Sequence, residues 1–228
     1  DGTTFPAVTF LRENNSLENV YGGGNVADYG TASKPGEIKV KILNADMTGN
    51  VFGGGKEAKV TGTTDVTIGD WNPDHLVYIK KDVYGGGDQA GVTAGTTVTV
   101  NDCATIIEGD VYGGGNAAPV GTAEATANTN VTVWGGTINR VFGGGHGYPE
   151  YTPPVGADIY GNTNVGIFGG TIQEAFGGSN SVGNITGKAN ITLDQRMCED
   201  PDEDGNRQQD ACSMSIQEAY GAGNQAEM

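Results

Sequence analysis

Val141-Phe142-Gly143-Gly144-Gly145 is one copy of a pentapeptide that returns along the whole 228-residue chain. Its aromatic position is filled by Tyr21, Phe52, Tyr84, Tyr112, Phe142, Phe176 and Tyr220, at successive spacings of 31, 32, 28, 30, 34 and 44 residues. A period of this size means like units stacked so that each buries its apolar side against the next. The stretches Asp65-Val66-Thr67-Ile68, Thr97-Val98-Thr99-Val100 and Asn130-Val131-Thr132-Val133 alternate apolar with polar residues, as does a β-strand with one face in a core. A second short strand leads into the pentapeptide, as in Thr137-Ile138-Asn139-Arg140-Val141-Phe142. The piece after the glycines, such as Gly87-Asp88-Gln89-Ala90-Gly91-Val92, again has alternate apolar positions. Three strands per unit without helical periodicity predict an all-β, single-stranded parallel β-helix or β-solenoid of about seven coils of roughly 30 residues.

A coil turns corners less than 5 Å from its neighbours, and glycine there supplies positive φ and omits the Cβ that would clash. No helix start or Lys/Ser pair follows the glycines, so the corner reading is preferred to a phosphate-cradling loop. Asn25, Asp88, Asn116 and Asn224 occupy the slot after the triplet, where Asn and Asp suit a turn, and His146 takes the same slot. The aromatic column reads as bulky filling of a corner, with an outward strip of ring faces as the alternative.

The whole chain, 1–228, reads as one domain: an apolar N-terminal cap over 1–19, the stack, and an acidic insertion over 194–215. The corner motif at Tyr220 has no cap after it, so the native polypeptide is expected to continue or to pack against further polypeptide. A start at Asp1 fits either a mature secreted protein or a trimmed chain. A net charge of −16 repels nucleic acid and anionic headgroups, and acidic polysaccharides too unless a cation bridges them. No apolar run is long enough to insert into a membrane. Neutral glycans, surface proteins and divalent cations remain as partners.

The alternating Thr/Val strands and the Val-(Tyr/Phe)-Gly-Gly-Gly corners resemble those of bacterial secreted or cell-surface parallel β-helix proteins with glycine-rich repeats, adhesin-like ones included. The resemblance implies a protein outside the cell or on the cell surface of a bacterium, and it carries over no catalytic residue. Gly145-His146-Gly147 is similar to a piece of the β-helical polygalacturonases, but their Asn-Thr-Asp, paired-Asp and Arg-Ile-Lys segments are missing.

Asp200-Pro201-Asp202-Glu203-Asp204-Gly205-Asn206 places carboxylates at alternate positions before a glycine, which is the first half of a calcium loop. Asp200, Asp202, Asp204, Asn206 and Asp210 are therefore candidate Ca²⁺ ligands, set against a plain solvated acidic insertion. Cys198 and Cys212 bracket this stretch and are expected to form a disulfide, while Cys103 reads as a small core residue. Trp71, Tyr78, Tyr148 and Tyr151 fall in irregular, longer segments and are the candidates for ligand contact. Outward Thr67, Thr99, Thr132 and Thr192 form a series broken at Lys41 and Gly166, too incomplete to order ice. Asn130, Asn164 and Asn190 are expected to form an amide ladder at a bend.

His75 and His146 lie in different units without a nucleophile motif, so no catalytic residue is assigned. The function expected is a non-enzymatic adhesive or structural surface module presenting loops to a glycan or protein partner. The alternative is a β-helix carbohydrate-active enzyme, either a polysaccharide lyase or a glycoside hydrolase. A lyase is disfavoured by the lack of clustered basic residues on the strand faces.

Overall fold

The computed structural model describes the backbone of residues 8–10, 16–195, 199–201, 207–209 and 212–225, with side chains for 16–195 and 212–225. Every regular element among the described residues is a strand. One parallel sheet contains, in spatial and chain order, Val8–Phe10, Gly36–Ile42, Gly62–Ile68, Thr96–Val100, Thr129–Val133, Thr163–Ile167 and Ala189–Leu193. The other runs through Ser16–Leu17, Ala45–Met47, Val77–Ile79, Ile106–Tyr112, Thr137–Phe142, Thr171–Phe176 and Ser215–Tyr220. Short strands Val20–Tyr21, Val51–Phe52 and Val83–Tyr84 join it in line with the end of Ile106–Tyr112.

Equivalent residues of successive units pair directly. Val40, Val66, Val98, Val131 and Val165 form one register column, and side chains two residues apart share a face of the pleat. The inward columns of both sheets meet in one apolar cluster that also takes in Val60 and Val92. Outward in the first sheet, Lys41, Thr67, Thr99, Thr132, Gly166 and Thr192 stand in the register read from the sequence. The Asn ladder exists, with Asn164 Nδ2 donating to Asn130 Oδ1 at 3.0 Å and Asn190 Nδ2 to Asn164 Oδ1 at 2.9 Å. It runs across the outer face of straight strands and not, as expected, along a bend.

The expected single-stranded β-solenoid with three strands per coil is corrected. Two parallel sheets carry the strands, and the piece after the glycines forms only isolated bridges through Tyr29, Val60, Val92, Val120, Ile159 and Ile185. The apolar alternation there is real, since Ala58, Val60, Ala118 and Val120 are fully buried. The backbone, however, bends through it and spends its N–H groups singly: Lys56 N donates to Gly24 O and Thr61 N to Tyr29 O, while Val60 N donates to Gly91 O on the other side. Buried alternation thus arose from a curved path of small residues.

The glycine corners are corrected in part as well. No triplet glycine has positive φ; that conformation belongs to others such as Gly69, Gly136 and Gly147. What the triplets need is the missing Cβ: one built on Gly54 stands 2.7 Å from Gly87 N, and one on Gly86 stands 2.8 Å from Gly115 N. Buried threonines close the same corner. Thr64, Thr96 and Thr129 donate Oγ1–H to the carbonyls of Gly85, Gly113 and Gly143 at 2.6 Å each, and Thr163 donates to Gly177.

The aromatic column faces inward. Phe52, Tyr84, Tyr112, Phe142 and Phe176 are buried. From Tyr21 to Tyr220, neighbouring rings stack 4.7–4.9 Å apart and within 10° of parallel. That spacing is the inter-strand distance, so the rings stack because their strands do.

Candidate functional site

The residue four places after each aromatic forms a second column outside the first. Asp88, Asn116, His146 and Asn180 each donate their backbone N–H to a glycine carbonyl of the preceding unit, at 2.9–3.0 Å. Their side chains then link along the column. Asn116 Nδ2 donates to Asp88 Oδ1 at 2.8 Å, and His146 Nδ1 lies 3.2 Å from Asn116 Oδ1. An amide oxygen only accepts, so His146 carries its proton on Nδ1. Asn224 Nδ2 continues the pattern onto Asn180 Oδ1 at 3.0 Å.

A buried polar layer fixes this column from behind. Tyr112 donates its hydroxyl to Asp110 Oδ2 at 3.0 Å and accepts from Asn180 Nδ2 at 2.9 Å. Asp110 also receives Asn139 Nδ2 at 2.8 Å and both Arg140 Nε and a terminal guanidinium nitrogen, at 3.1 and 2.6 Å. Asp82 accepts from Tyr84 at 3.0 Å and from Asp110 N at 2.8 Å. Burial pushes the Tyr84 and Tyr112 phenols far above their ordinary range and raises the Asp82 carboxyl. The Asp110 hydrogen bonds hold the Arg140 guanidinium charged. Burial lowers the His146 imidazole, against the opposing pull of Asp82 and Asp110, so it is neutral near pH 7.

In front of the column the chain makes its second irregular excursion. Gly147 enters at φ 72°, and Tyr148 and Val155 pair antiparallel through hydrogen bonds of 2.8 and 3.1 Å. This pins Tyr148 edge-on to His146, with ring centres 4.9 Å apart and planes at 79°. Tyr151 stands edge-on to Tyr148 in turn, at 5.4 Å and 86°. The Tyr148 hydroxyl is hydrogen-bonded to Asn116, and burial raises it. Together Asp88, Gln89, Asn116, Ala117, Tyr148, Tyr151 and Val155 line a half-open cleft of about 350 Å³. Tyr151 is more than half exposed at its mouth.

Two of the four expected contact aromatics therefore meet, and two stand apart. Trp71 sits at φ 63° in the first excursion, beside an Asp70–His75 pair 2.9 Å apart. Tyr78 lies on the outer face of the second sheet, in register with Asp46 and Ile106 and hydrogen-bonded to Glu108. The floor residues Asp88 and Asn116 were read only as turn formers, and Gln89 only as part of the piece after the glycines; the constant offset of Asp88 and Asn116 from the aromatic was the signal that they share a surface.

The disulfide is corrected. Cys212 bonds Cys103, 109 residues away and with Cα atoms 5.4 Å apart, and not Cys198. Cys103 is exposed rather than a core residue. Cys212 packs against the turns at Gly135 and Gly169, which stack over the turn that carries Cys103. Cys198 lies outside the described residues, as do Asp202, Asp204, Asn206 and Asp210. Asp200 is described in backbone only, within a two-stranded antiparallel pair, Glu199–Pro201 with Arg207–Gln209. Among the described residues no group of three or more His, Cys, Asp or Glu is placed to hold a metal.

No protein-family model, curated protein or solved structure matches the chain.

Proposed function

We propose that the protein is a non-enzymatic surface module, exposed outside a bacterial cell, that binds a neutral glycan in the cleft between Tyr148, Tyr151 and the Asp88–Asn116 floor. The observation that carries this reading is the pairing of two tyrosines at right angles with a floor of one carboxylate and two amides. A sugar ring has a flat C–H face, which packs on an aromatic ring, and an edge of hydroxyls, which both donate and accept. A carboxylate accepts two such hydroxyls, and an amide takes either role. The floor is held by interlocked side chains before any ligand arrives, so little ordering entropy remains to be lost on binding.

Two further features favour the setting. A disulfide persists in oxidising compartments, outside the cytosol. The carboxylates nearest the aromatic column are occupied by phenols, backbone N–H groups and Arg140, as expected of supports rather than of acids and bases awaiting substrate. Calcium bound by Asp200, Asp202, Asp204, Asn206 and Asp210 stays part of the proposal, and calorimetric titration with CaCl₂ tests it.

The test of the main reading is affinity electrophoresis through a panel of neutral polysaccharides, with Tyr151→Ala beside the wild type. Retardation by one of them, with affinity falling about tenfold in the variant, supports the cleft; tenfold is about 1.4 kcal/mol, within the range for one aromatic contact. Shortened polysaccharide after incubation overturns the non-enzymatic reading. Retardation by none overturns recognition of a neutral glycan.

A further inference from the structure

We propose that the cleft selects a saccharide carrying a protonated primary amine over its N-acetylated counterpart, with Asp88 as the counter-ion at the floor and the tyrosine pair as the wall. The inference rests on the reading of this cleft as a saccharide site that accepts neutral rings, and adds that a positive charge on the ring tightens binding.

The argument is one of uncompensated charge. Asp88 is half-buried in the cleft floor, and its Oδ1 accepts from Asn116 at 2.8 Å. Its Oδ2 accepts from no described residue. No described cationic group forms an ion pair with Asp88. Lys56, the preceding member of the column, lies 3.9 Å from Glu57, and Arg140 is held by Asp110 at 2.6 Å. His146 is neutral near pH 7 because it is buried. Glu150, on the excursion itself, adds a second negative charge whose field reaches Tyr148 together with that of Asp88. A bound neutral sugar satisfies the hydrogen bonds of this floor but leaves its charge unbalanced; an ammonium group does both.

The aromatic wall points the same way. A ring presents a negative π face, and a cation within about 6 Å of it is attracted. Tyr148 and Tyr151, with ring planes at 86°, line the same cleft as the Asp88 carboxylate, so aromatic rings and an anion border one space. The net charge of −16 further steers cations toward the surface and anions away. Acetylating the amine removes the charge while keeping the ring, its hydroxyls and its linkages, so the pair isolates the charge term.

The experiment is calorimetric titration at pH 5.5 and low salt with a hexasaccharide of β-linked glucosamine and with its fully N-acetylated form. The variants are Asp88→Asn and Tyr151→Ala. Asn is native to the same slot at 116, 180 and 224, so Asp88→Asn preserves the fold. The expected result is at least fivefold tighter binding of the free-amine hexamer, a preference reduced to less than twofold in Asp88→Asn, and weaker binding of both hexamers by Tyr151→Ala. Equal affinity of the wild type for the two hexamers overturns the amine preference and leaves the saccharide site standing. A preference that survives Asp88→Asn shows attraction to the net charge alone and also overturns it. Binding of neither hexamer, with the wild type folded, overturns the saccharide site and the preference together.

Discussion

Thr129 and Gly113 illustrate what single residues contribute to the stack. The Thr129 hydroxyl is wholly buried and donates to Gly143 O at 2.6 Å, so Thr129→Val keeps the shape and leaves that carbonyl without its donor. The cost is about 1–3 kcal/mol, the desolvation penalty of a buried acceptor. Gly113→Ala acts differently, since its Cβ runs into Gly143 O and stands 3.0 Å from Thr129 Cβ. Backbone cannot yield here without breaking register, so overpacking should cost about 3 kcal/mol or more. Urea unfolding of both variants checks this: Gly113→Ala must be the less stable. If Ala is tolerated better than Val, the close approach is not what demands glycine. The sequence shows that something excludes side chains at these positions, and a corner was the natural reading. It does not show whether φ or the absent Cβ is responsible, because glycine satisfies both. Gly166 is a similar case: it interrupts the threonine series, and Phe168 explains it by laying its ring within 3.1 Å of where a Cβ would stand.

Among the elements, strands were legible where alternation runs over five or more extended residues, as in Thr96–Val100, and illegible where small residues alternate on a bend. The cysteine pairing failed for a different reason. Cys198 and Cys212 are close in sequence, but stacking makes residues about 30 or 60 apart neighbours in space, and Cys212 follows the stack of turns at 135 and 169 to Cys103. The link closes a loop of 109 residues across several units, and the chain-entropy account gives such a loop about 4–5 kcal/mol as an upper figure. Peptide mapping without reductant should therefore find the 103–212 pair. Cys103→Ser should lower the unfolding midpoint, and dithiothreitol should bring the wild type down to the level of that variant. A 198–212 peptide instead would refute the arrangement of the last strand against the turn stack. The cleft was half legible at this scale: the irregular length of the second excursion marked Tyr148 and Tyr151 as contact candidates, but the facing floor came from two other units.

For the molecule as a whole, the balance of buried ionisable groups sets how stability varies with pH. His146 is neutral in the fold, with its imidazole lowered by burial, whereas in the unfolded chain it titrates near 6.5. Below that pH the unfolded state binds the extra proton first, so stability falls as the pH drops through 6.5 and stops falling once the folded imidazole also protonates. Asp82 and Asp102 work in the opposite sense. Burial raises both carboxyls, so as the pH falls toward 4 the folded state takes up their protons first and gains stability. The net charge of −16 adds to that gain, because acid relieves self-repulsion. The histidine term is therefore masked in the wild type alone and must be isolated by difference. His146→Asn is the suitable variant, because Asn116 and Asn180 flank it in the same column. Urea unfolding from pH 8 to pH 5 should show the wild type losing stability relative to the variant only below about pH 6.5, with a slope no steeper than ~1.4 kcal/mol per pH unit, the limit for one proton. Parallel profiles would mean that His146 is not held neutral against Tyr112 and Tyr148, and that the wall of the cleft is not anchored through it.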